Sequence, residues 1–340
     1  MPDVEVERIL IIKLGALGDV VLATGFIEAI RRAHAGAECL VLTRPPYAGL
    51  LAQQGAARVL AFGERGVRAM AGLVRKVRGM GLGAIYDLQC SDRTRLLCLL
   101  SGVPFRVGLG PGWVYRTHLP DDDPRRHPWE RLAALLERAG VPGAREAEPR
   151  IRLSAETLAR AEGWLARHGL RAGGYALLQP GSSPRWASKR WGMERFAALA
   201  SALEAEGLVP VWIGSREEKA LLARASPPGV DAMGELGLPE LAAVARGARF
   251  AVTGDSGPMH LVAAAGTPVY AIFGPTDPSR HAARGQAHRV LRGEAPCAPC
   301  HLPACPPGRG HRCMATLPPE RVVARLRADG LLGRAASAEA

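Results

Sequence analysis

The chain has 340 residues, of which 48% are hydrophobic and 22% are charged. At roughly 150 residues per domain this length predicts two domains, and the composition excludes a disordered chain. No apolar run approaches the ~18 residues of a membrane span, and residues 1–7 are acidic, unlike an export leader, so we expect a cytoplasmic protein. The net charge of +12 allows nucleic acid, an anionic membrane surface or phosphorylated substrates as partners.

The N-terminal part of the chain alternates predicted strands and helices. The apolar, β-branched run over residues 8–13 predicts a strand buried on both faces, and helical spacing follows over residues 20–33. Further strands are predicted over residues 39–43, 58–62 and 84–88, and further helices over residues 67–79 and 93–100. This alternation is typical of a parallel sheet with helices on both faces.

A polar loop over residues 119–126 separates this pattern from a second one. Helices are predicted over residues 129–139 and 154–168, with a linker over residues 142–150 between them. The second pattern has predicted strands over residues 175–178, 208–213, 249–253 and 268–273, and predicted helices over residues 193–206, 216–225, 239–246 and 258–265. We therefore expect an α/β protein with an N-terminal domain over residues 1–165, a C-terminal domain over 170–330 and a flexible tail over 331–340.

The first candidate loop, residues 15–19, joins a strand to a helix. Ligands bind at the carboxyl ends of strands in such sheets, so this loop is a candidate site. It ends in Asp19, at or just inside the start of the helix. A plain helix N-cap is the alternative interpretation of this acid. The loop lacks the third glycine of a dinucleotide fingerprint.

The second candidate loop, residues 179–191, offers backbone and hydroxyl donors at Gly181, Ser182 and Ser183, with a cation at Lys189. Donors of this kind suit a phosphate group. The alternative is a turn in which the tryptophans pack and the cations are solvated. Only four of the 44 basic residues are lysine, which makes Lys189 the more informative cation.

The third candidate loop, residues 253–260, precedes a predicted helix. Gly257 comes directly before a proline, so the backbone N–H groups near Ser256 and Gly257 should form an anion site at the helix start. His260 could reach the same anion or a sugar hydroxyl, although a structural histidine is the alternative. A phosphate would repel Asp255, so we expect that carboxylate to face ribose or sugar hydroxyls, or to hold the loop in shape.

Four of the seven cysteines lie within 17 residues of the C-terminal part. They are Cys297, Cys300, Cys305 and Cys313. Their spacing contains one short knuckle and not the two of a zinc ribbon, so we expect a compact loop of small thiols, with a structural metal site as the alternative.

These sequences resemble glycosyltransferase family 9, the ADP-heptose:lipopolysaccharide heptosyltransferases. The resemblance rests on residues 9–21, 180–183, 189–191, 254–261, 266–268 and 273–278, on Phe196 and on the cysteine-rich tail. The matching segments occur in the order of the family and span residues 8 to about 325. Residues 24–27 depart from the helix start of many relatives, so we expect the acceptor side to differ.

The resemblance implies a GT-B fold, with two Rossmann-like, doubly wound domains facing across a cleft. It implies that the N-terminal domain binds the acceptor and the C-terminal domain binds the nucleotide sugar. The implied activity is an inverting, metal-independent transfer of heptose from ADP-heptose to the lipid A-linked inner core of lipopolysaccharide, with no cofactor. The implied location is the cytoplasm, with peripheral contact at the inner membrane.

Carried over by position, the resemblance implies that Asp19 is the general base and that Lys189 contacts the donor phosphates and sugar. An acid at Glu217 or Glu218 is implied at the ribose, and the backbone near Leu236 at the adenine. The other implied donor contacts are Ser182, Ser183, Asp255, Ser256, Gly257 and His260.

Two other functions remain open at this point. The positive charge is compatible with a nucleic-acid binding protein, but it is spread over both halves and aromatic residues make up only 5% of the chain. A different GT-B enzyme, such as a nucleotide-sugar epimerase, would release free sugar without an acceptor. We expect a transferase with no nucleic-acid partner.

Overall fold

The computed structural model describes residues 6–64 and 66–333, which form two compact units that meet in sequence between Leu153 and Ser154. Of the predicted tail over residues 331–340, only 331–333 lie within the described residues. No described helix is both long enough and apolar enough to cross a membrane.

The first unit is a parallel sheet with helices on its faces. Its strands are β1 (Arg8–Ile12), β2 (Glu38–Thr43), β3 (Arg58–Ala61), β4 (Ala84–Asp87) and β5 (Phe105–Gly108). Its helices are α1 (Leu17–Ala33), α2 (Pro45–Ala52), α3 (Val67–Arg78), α4 (Asp92–Leu100) and α5 (Pro128–Arg138). The strand order is β3-β2-β1-β4-β5, so β1 lies in the middle and pairs in parallel with β2 and β4.

The middle position of β1 explains its composition. Four of its five residues are buried, because helices cover both faces of the sheet. Helices α3 and α4 both contribute to the apolar cluster on one face. On α1, Thr24 accepts a hydrogen bond from the Arg150 backbone N–H at 3.2 Å, and a Cβ at Gly25 would lie 2.2 Å from the Ala147 carbonyl. The small residues Thr24 and Gly25 therefore allow the chain near residues 147–150 to pack against α1.

The second unit repeats the plan with six parallel strands. Its strands are β6 (Tyr175–Gln179), β7 (Val209–Trp212), β8 (Val230–Asp231), β9 (Ala251–Gly254), β10 (Val269–Phe273) and β11 (Val290–Arg292). Its helices are α6 (Ala155–Arg167), α7 (Met193–Ala205), α8 (Lys219–Ala225), α9 (Leu238–Gly247), α10 (Gly257–Ala264), α11 (Pro278–His281), α12 (Arg312–Ala315) and α13 (Pro319–Ala328). The order β11-β10-β9-β6-β7-β8 places β6 beside β9.

The predicted class, an α/β protein of the GT-B type with two doubly wound domains, is confirmed by these two sheets. Helix α6, which the prediction counts with the first domain, belongs by its contacts to the second unit. Arg160 of α6 forms an ion pair with Glu240 of α9 at 2.7 Å, and the Trp164 indole N–H donates to the Glu235 carboxylate at 3.3 Å.

Candidate functional site

The first candidate loop lies at the carboxyl end of β1. The strand order reverses between β1 and β4, which is where ligands bind in open α/β sheets. The side-chain oxygen of Gln89, which follows β4, accepts hydrogen bonds from the backbone N–H groups of Leu14 (2.9 Å) and Gly15 (3.1 Å). Lys13 is buried and donates from Nζ to the Leu88 carbonyl at 2.9 Å. The chain after β4 therefore fixes the shape of the loop.

Asp19 is the third residue of α1. The helix begins at Leu17 after the cap residue Ala16, so the interpretation of Asp19 as the N-cap is wrong. Its carboxylate is half-buried and forms no hydrogen bond or ion pair with residues 6–64 and 66–333. The start of a helix favours a negative charge. The structure thus presents a carboxylate whose oxygens can accept a proton from a ligand.

In the second unit, Gln179 connects the second and third candidate loops. This buried residue ends β6, and its side-chain Nε2 donates to the Gly181 carbonyl at 2.8 Å. Its Oε1 accepts a hydrogen bond from Ser256 Oγ at 2.7 Å. Because β6 and β9 are neighbours in the sheet, the two loops that the sequence singles out meet at one carboxyl edge.

The cation of this site is held by a carboxylate. Lys189 Nζ lies 2.7 Å from Asp255 Oδ2, and both side chains are mostly buried, with 16% and 8% exposed. Thr276 Oγ1 donates to the same Asp255 oxygen at 2.7 Å, and the ammonium lies 4.8 Å from the centre of the Trp186 ring. Of the roles expected for Asp255, holding the loop is therefore the one that its contacts support. Lys189 keeps further N–H donors for a ligand.

The two loop serines differ in exposure. Ser182 is buried; its hydroxyl donates to the Trp186 carbonyl at 2.9 Å and accepts from Arg190 Nε at 3.3 Å. Ser183 is exposed. The hydroxyl of Ser182 therefore stabilises the loop itself, and that of Ser183 is the one open to solvent.

The predicted helix start after β9 is confirmed. Helix α10 begins at Gly257, and its cap residue Ser256 makes no side-chain bond to the helix, because its hydroxyl donates to Gln179. The first backbone N–H groups of α10 therefore lie beside the second candidate loop, which carries Lys189. The start of a helix favours an anion. His260 is half-buried in the first turns of α10.

The structure separates Glu217 from Glu218. Glu218 Oε2 accepts from the Ser215 backbone N–H at 2.8 Å, and a Cβ at Gly181 would lie only 1.8 Å from Glu218 Oε1. The carboxylate of Glu218 therefore lies against the second candidate loop. Glu217 is exposed, and hydrogen bonds from its own backbone and from Ser215 lower the pKa of its carboxyl.

This difference predicts unequal effects of two neighbouring substitutions. The resemblance implies a ribose contact at one of these acids, and the position of Glu218 favours it. On that assignment we expect Glu218→Gln to weaken ADP binding by about tenfold or more, because a hydrogen bond to a charged group contributes about 1.5–3 kcal/mol. Glu217→Gln is the matched control and should leave the ADP dissociation constant unchanged. Calorimetric titration of both variants with ADP measures the two constants; equal values would contradict a ribose contact at Glu218.

Leu236 lies in the loop after the edge strand β8, half-buried. That loop is at the same carboxyl edge as the loop after β6, two strand positions or roughly 10 Å away. A nucleotide with its phosphates at Lys189 would therefore extend along the edge past Glu218 toward Leu236.

Two residues that the prediction omits belong to this site. Thr276 bonds Asp255, as described above. His281 ends α11, and burial lowers the pKa of its imidazole, while Asp255 raises it and Lys189 lowers it. His281 therefore lies within electrostatic range of the Lys189 and Asp255 pair. Their sequence signal is position alone. Thr276 lies within residues 273–278 and His281 follows them, and the resemblance implies no role for that segment.

The cysteine-rich segment contacts the second candidate loop through Ser188. The Ser188 hydroxyl donates to the Leu302 carbonyl at 2.7 Å, and its carbonyl oxygen lies 2.6 Å from His311 Nε2. The four clustered cysteines line one small cavity beside Ser188 and carry free thiols. Burial, and then the neighbouring thiols, raise the pKa of Cys313. Within the described ranges no three or more His, Cys, Asp or Glu side chains are arranged to hold a metal ion. The segment braces the residue next to Lys189.

Comparison with known proteins identifies relatives of this chain and of its fold. The sequence model of a family described as "Glycosyltransferase family 9 (heptosyltransferase)" matches residues 71–308. The lipopolysaccharide core heptosyltransferase OpsX of Haemophilus influenzae is 22% identical over 304 residues, 84% of each chain. The solved structure of Escherichia coli ADP-heptose lps heptosyltransferase II superposes with a TM-score of 0.74 at 20% identity, over 94% of this chain and 98% of that one. Escherichia coli heptosyltransferase WaaC with ADP gives a TM-score of 0.71 at 20% identity, over 95% and 99%.

Proposed function

The chain belongs to glycosyltransferase family 9, the heptosyltransferases, and on that basis we propose that it transfers heptose from ADP-heptose to the inner core of lipopolysaccharide. The observation that carries the proposal is the mostly buried Lys189, set beside the start of α10 at the carboxyl ends of β6 and β9. A cation and uncapped helix N–H groups together suit a diphosphate. The relatives named above for ADP, ADP-heptose and lipopolysaccharide support the donor and the acceptor class.

The proposed reaction is a single inverting displacement. The acceptor hydroxyl oxygen forms a bond to the anomeric carbon of heptose as the bond from that carbon to the diphosphate oxygen breaks. The hydroxyl proton passes to the Asp19 carboxylate, because a neutral sugar hydroxyl is a poor nucleophile. ADP leaves with the bonding electron pair.

Negative charge grows on the diphosphate as it leaves. We assign its stabilisation to the Lys189 ammonium and to the N–H groups at the start of α10, without a catalytic metal ion or a cofactor. Asp255, which also accepts a hydrogen bond from Thr276, holds the ammonium in place before the reaction. Glu218 is the proposed ribose contact, and the loop at Leu236 the adenine contact.

The proposed acceptor is the lipid A-linked core oligosaccharide, at the cytoplasmic face of the inner membrane. The net charge of +12 favours contact with anionic lipid and with a phosphorylated glycolipid. The same charge would be compatible with nucleic acid, and a thermal-shift experiment separates the two ligands.

We expect ADP at about 100 times its dissociation constant to stabilise the protein by about 2.7 kcal/mol. That stabilisation corresponds to a rise of several degrees in Tm. Duplex DNA at the same phosphate concentration is expected to leave Tm unchanged. Stabilisation by DNA and not by ADP would contradict the proposed function and favour a nucleic-acid binding protein.

A further inference from the structure

A large groove lies between α3 and α4 of the first unit. It has a volume of about 990 Å³. Its α3 side follows one helical stripe, with residues at spacings of three and four: Val67, Met70, Ala71, Val74, Arg75 and Arg78. Its α4 side includes Arg93, Leu96 and Leu100 at similar spacing. One face of α3 and one face of α4 therefore line the groove.

Several apolar side chains of this groove project into solvent. Val67 is 87% exposed, Leu96 is 45% exposed and Leu100 is 39% exposed. A contiguous apolar surface of this kind marks an interaction site more often than isolated exposed residues do. Because most of the Val67 side chain is exposed, it suits insertion into a soft apolar layer better than packing against a rigid partner.

The charge around the groove is mainly positive. Helix α3 carries four basic residues and no acidic residue in its twelve positions. Arg75, Arg78 and Arg93 line the groove. The acid among the lining residues, Asp92, is fully exposed and is paired with Arg95 at 3.0 Å. The groove thus presents apolar side chains surrounded by uncompensated cations.

Two of the arginines are held in position. Arg78 Nε donates to the Leu100 carbonyl at 2.8 Å, which joins the ends of α3 and α4. The Arg93 guanidinium lies 4.7 Å from the centre of the Phe62 ring. Arginine at the edge of an apolar surface matches the interface of a bilayer, where phosphate lies above the acyl chains.

We propose that the α3–α4 groove docks the protein on an anionic lipid bilayer, with lipid phosphates at Arg75, Arg78 and Arg93 and acyl chains against Val67, Leu96 and Leu100. The assignment rests on the proposed function, which places the acceptor in such a membrane. The proposal assigns the membrane contact to one surface of the first unit.

Sedimentation with vesicles tests the proposal. Vesicles of phosphatidylethanolamine and phosphatidylglycerol should bind the full-length protein, and vesicles of phosphatidylcholine alone should not. Arg75→Glu changes the charge by two units. Each unit is expected to weaken vesicle binding about fivefold at low salt, so the variant should bind roughly 30-fold more weakly. Lys76→Glu makes the same change in charge on the same helix outside the groove, and is expected to weaken binding less than about fivefold.

A second matched pair tests the apolar contact. Leu96→Asp is expected to weaken vesicle binding by about tenfold or more, because burial of a leucine contributes about 1.5–3 kcal/mol. Leu99→Asp, on the same helix at 42% exposure but outside the groove, should remain within about threefold of the wild type. All four positions are exposed, so equal Tm values are expected to show that the variants fold.

If the two variants of each pair weakened vesicle binding equally, the assignment of the groove would be overturned. The binding would then be a non-specific attraction between a basic protein and an anionic bilayer. A dimer in solution that Leu96→Asp alone disrupts, without vesicle binding by the wild type, would assign the groove to a second copy of the chain and also overturn it. None of the residues that we assign to ADP lines this groove. Absence of vesicle binding by the wild-type protein, with ADP binding intact, would therefore reject the docking surface, whereas failure of the wild type to bind ADP would reject the proposed function.

Discussion

Replacement of Asp19 by asparagine is expected to lower turnover by about 10²- to 10⁴-fold and to leave ADP binding unchanged, because a general base contributes about that factor. Asparagine has the shape of aspartate but accepts no proton. Asp19 lies at the third position of α1 with no partner among the described residues, so the substitution breaks no hydrogen bond or ion pair there. Steady-state kinetics with ADP-heptose and a core acceptor measure the turnover.

Glu130→Gln is the matched control for this variant. Glu130 is an exposed acid in the first turn of α5, in the same unit. Both substitutions remove a favourable charge at a helix start, worth about 0.3–1 kcal/mol. If Glu130→Gln keeps full turnover and Asp19→Asn does not, the loss of turnover is caused by the missing proton acceptor and not by the missing charge at the helix start. Near-normal turnover in Asp19→Asn would remove Asp19 from the mechanism.

Lys189→Met is expected to weaken ADP binding by about 10- to 100-fold and to slow the reaction as well. A hydrogen bond to a charged group contributes about 1.5–3 kcal/mol, and the same ammonium is assigned to the growing charge of the leaving group. Calorimetric titration with ADP measures the binding, and kinetics at saturating donor measure the rate. An unchanged ADP titration would contradict the phosphate role.

The ion pair with Asp255 requires a second variant, because Lys189→Met alone leaves a mostly buried carboxylate with Thr276 as its remaining hydrogen-bond donor. That loss should lower the free energy of unfolding by about 1–3 kcal/mol. In the double variant Lys189→Met with Asp255→Asn, the buried charge is gone, so we expect Tm to recover. ADP binding should stay weak. Recovery of both would show that Lys189 acts on structure alone.

The long, apolar elements could be predicted from the sequence, and the shortest edge strands could not. Strand β1 has a run of isoleucine and leucine that fits a strand buried on both faces, and it forms as predicted. The edge strands β8 and β11 have two and three residues and no alternation to read. The spacing of apolar residues predicts helix α6. The unit to which α6 belongs is decided by its contact with α9, which is far away in the sequence.

The candidate site shows the same limit. The three loops follow strands and carry glycine, serine and charge, so the sequence indicates them. The links between them do not show in the sequence, because Gln179 and Ser256 are brought together only by the pairing of β6 with β9. The choice between Glu217 and Glu218 likewise depends on which carboxylate turns toward Gly181, and neighbouring identical residues give no signal for that.

The central claim is tested most directly by the mass of the acceptor after reaction. Purified protein is incubated with ADP-heptose and a lipid A-linked core that lacks the heptose, and the glycolipid is then analysed by mass spectrometry. We predict a gain of one heptose residue with the wild-type protein and no gain with Asp19→Asn. Release of ADP and free sugar with an unchanged acceptor, as expected of an epimerase-like enzyme, would contradict the account.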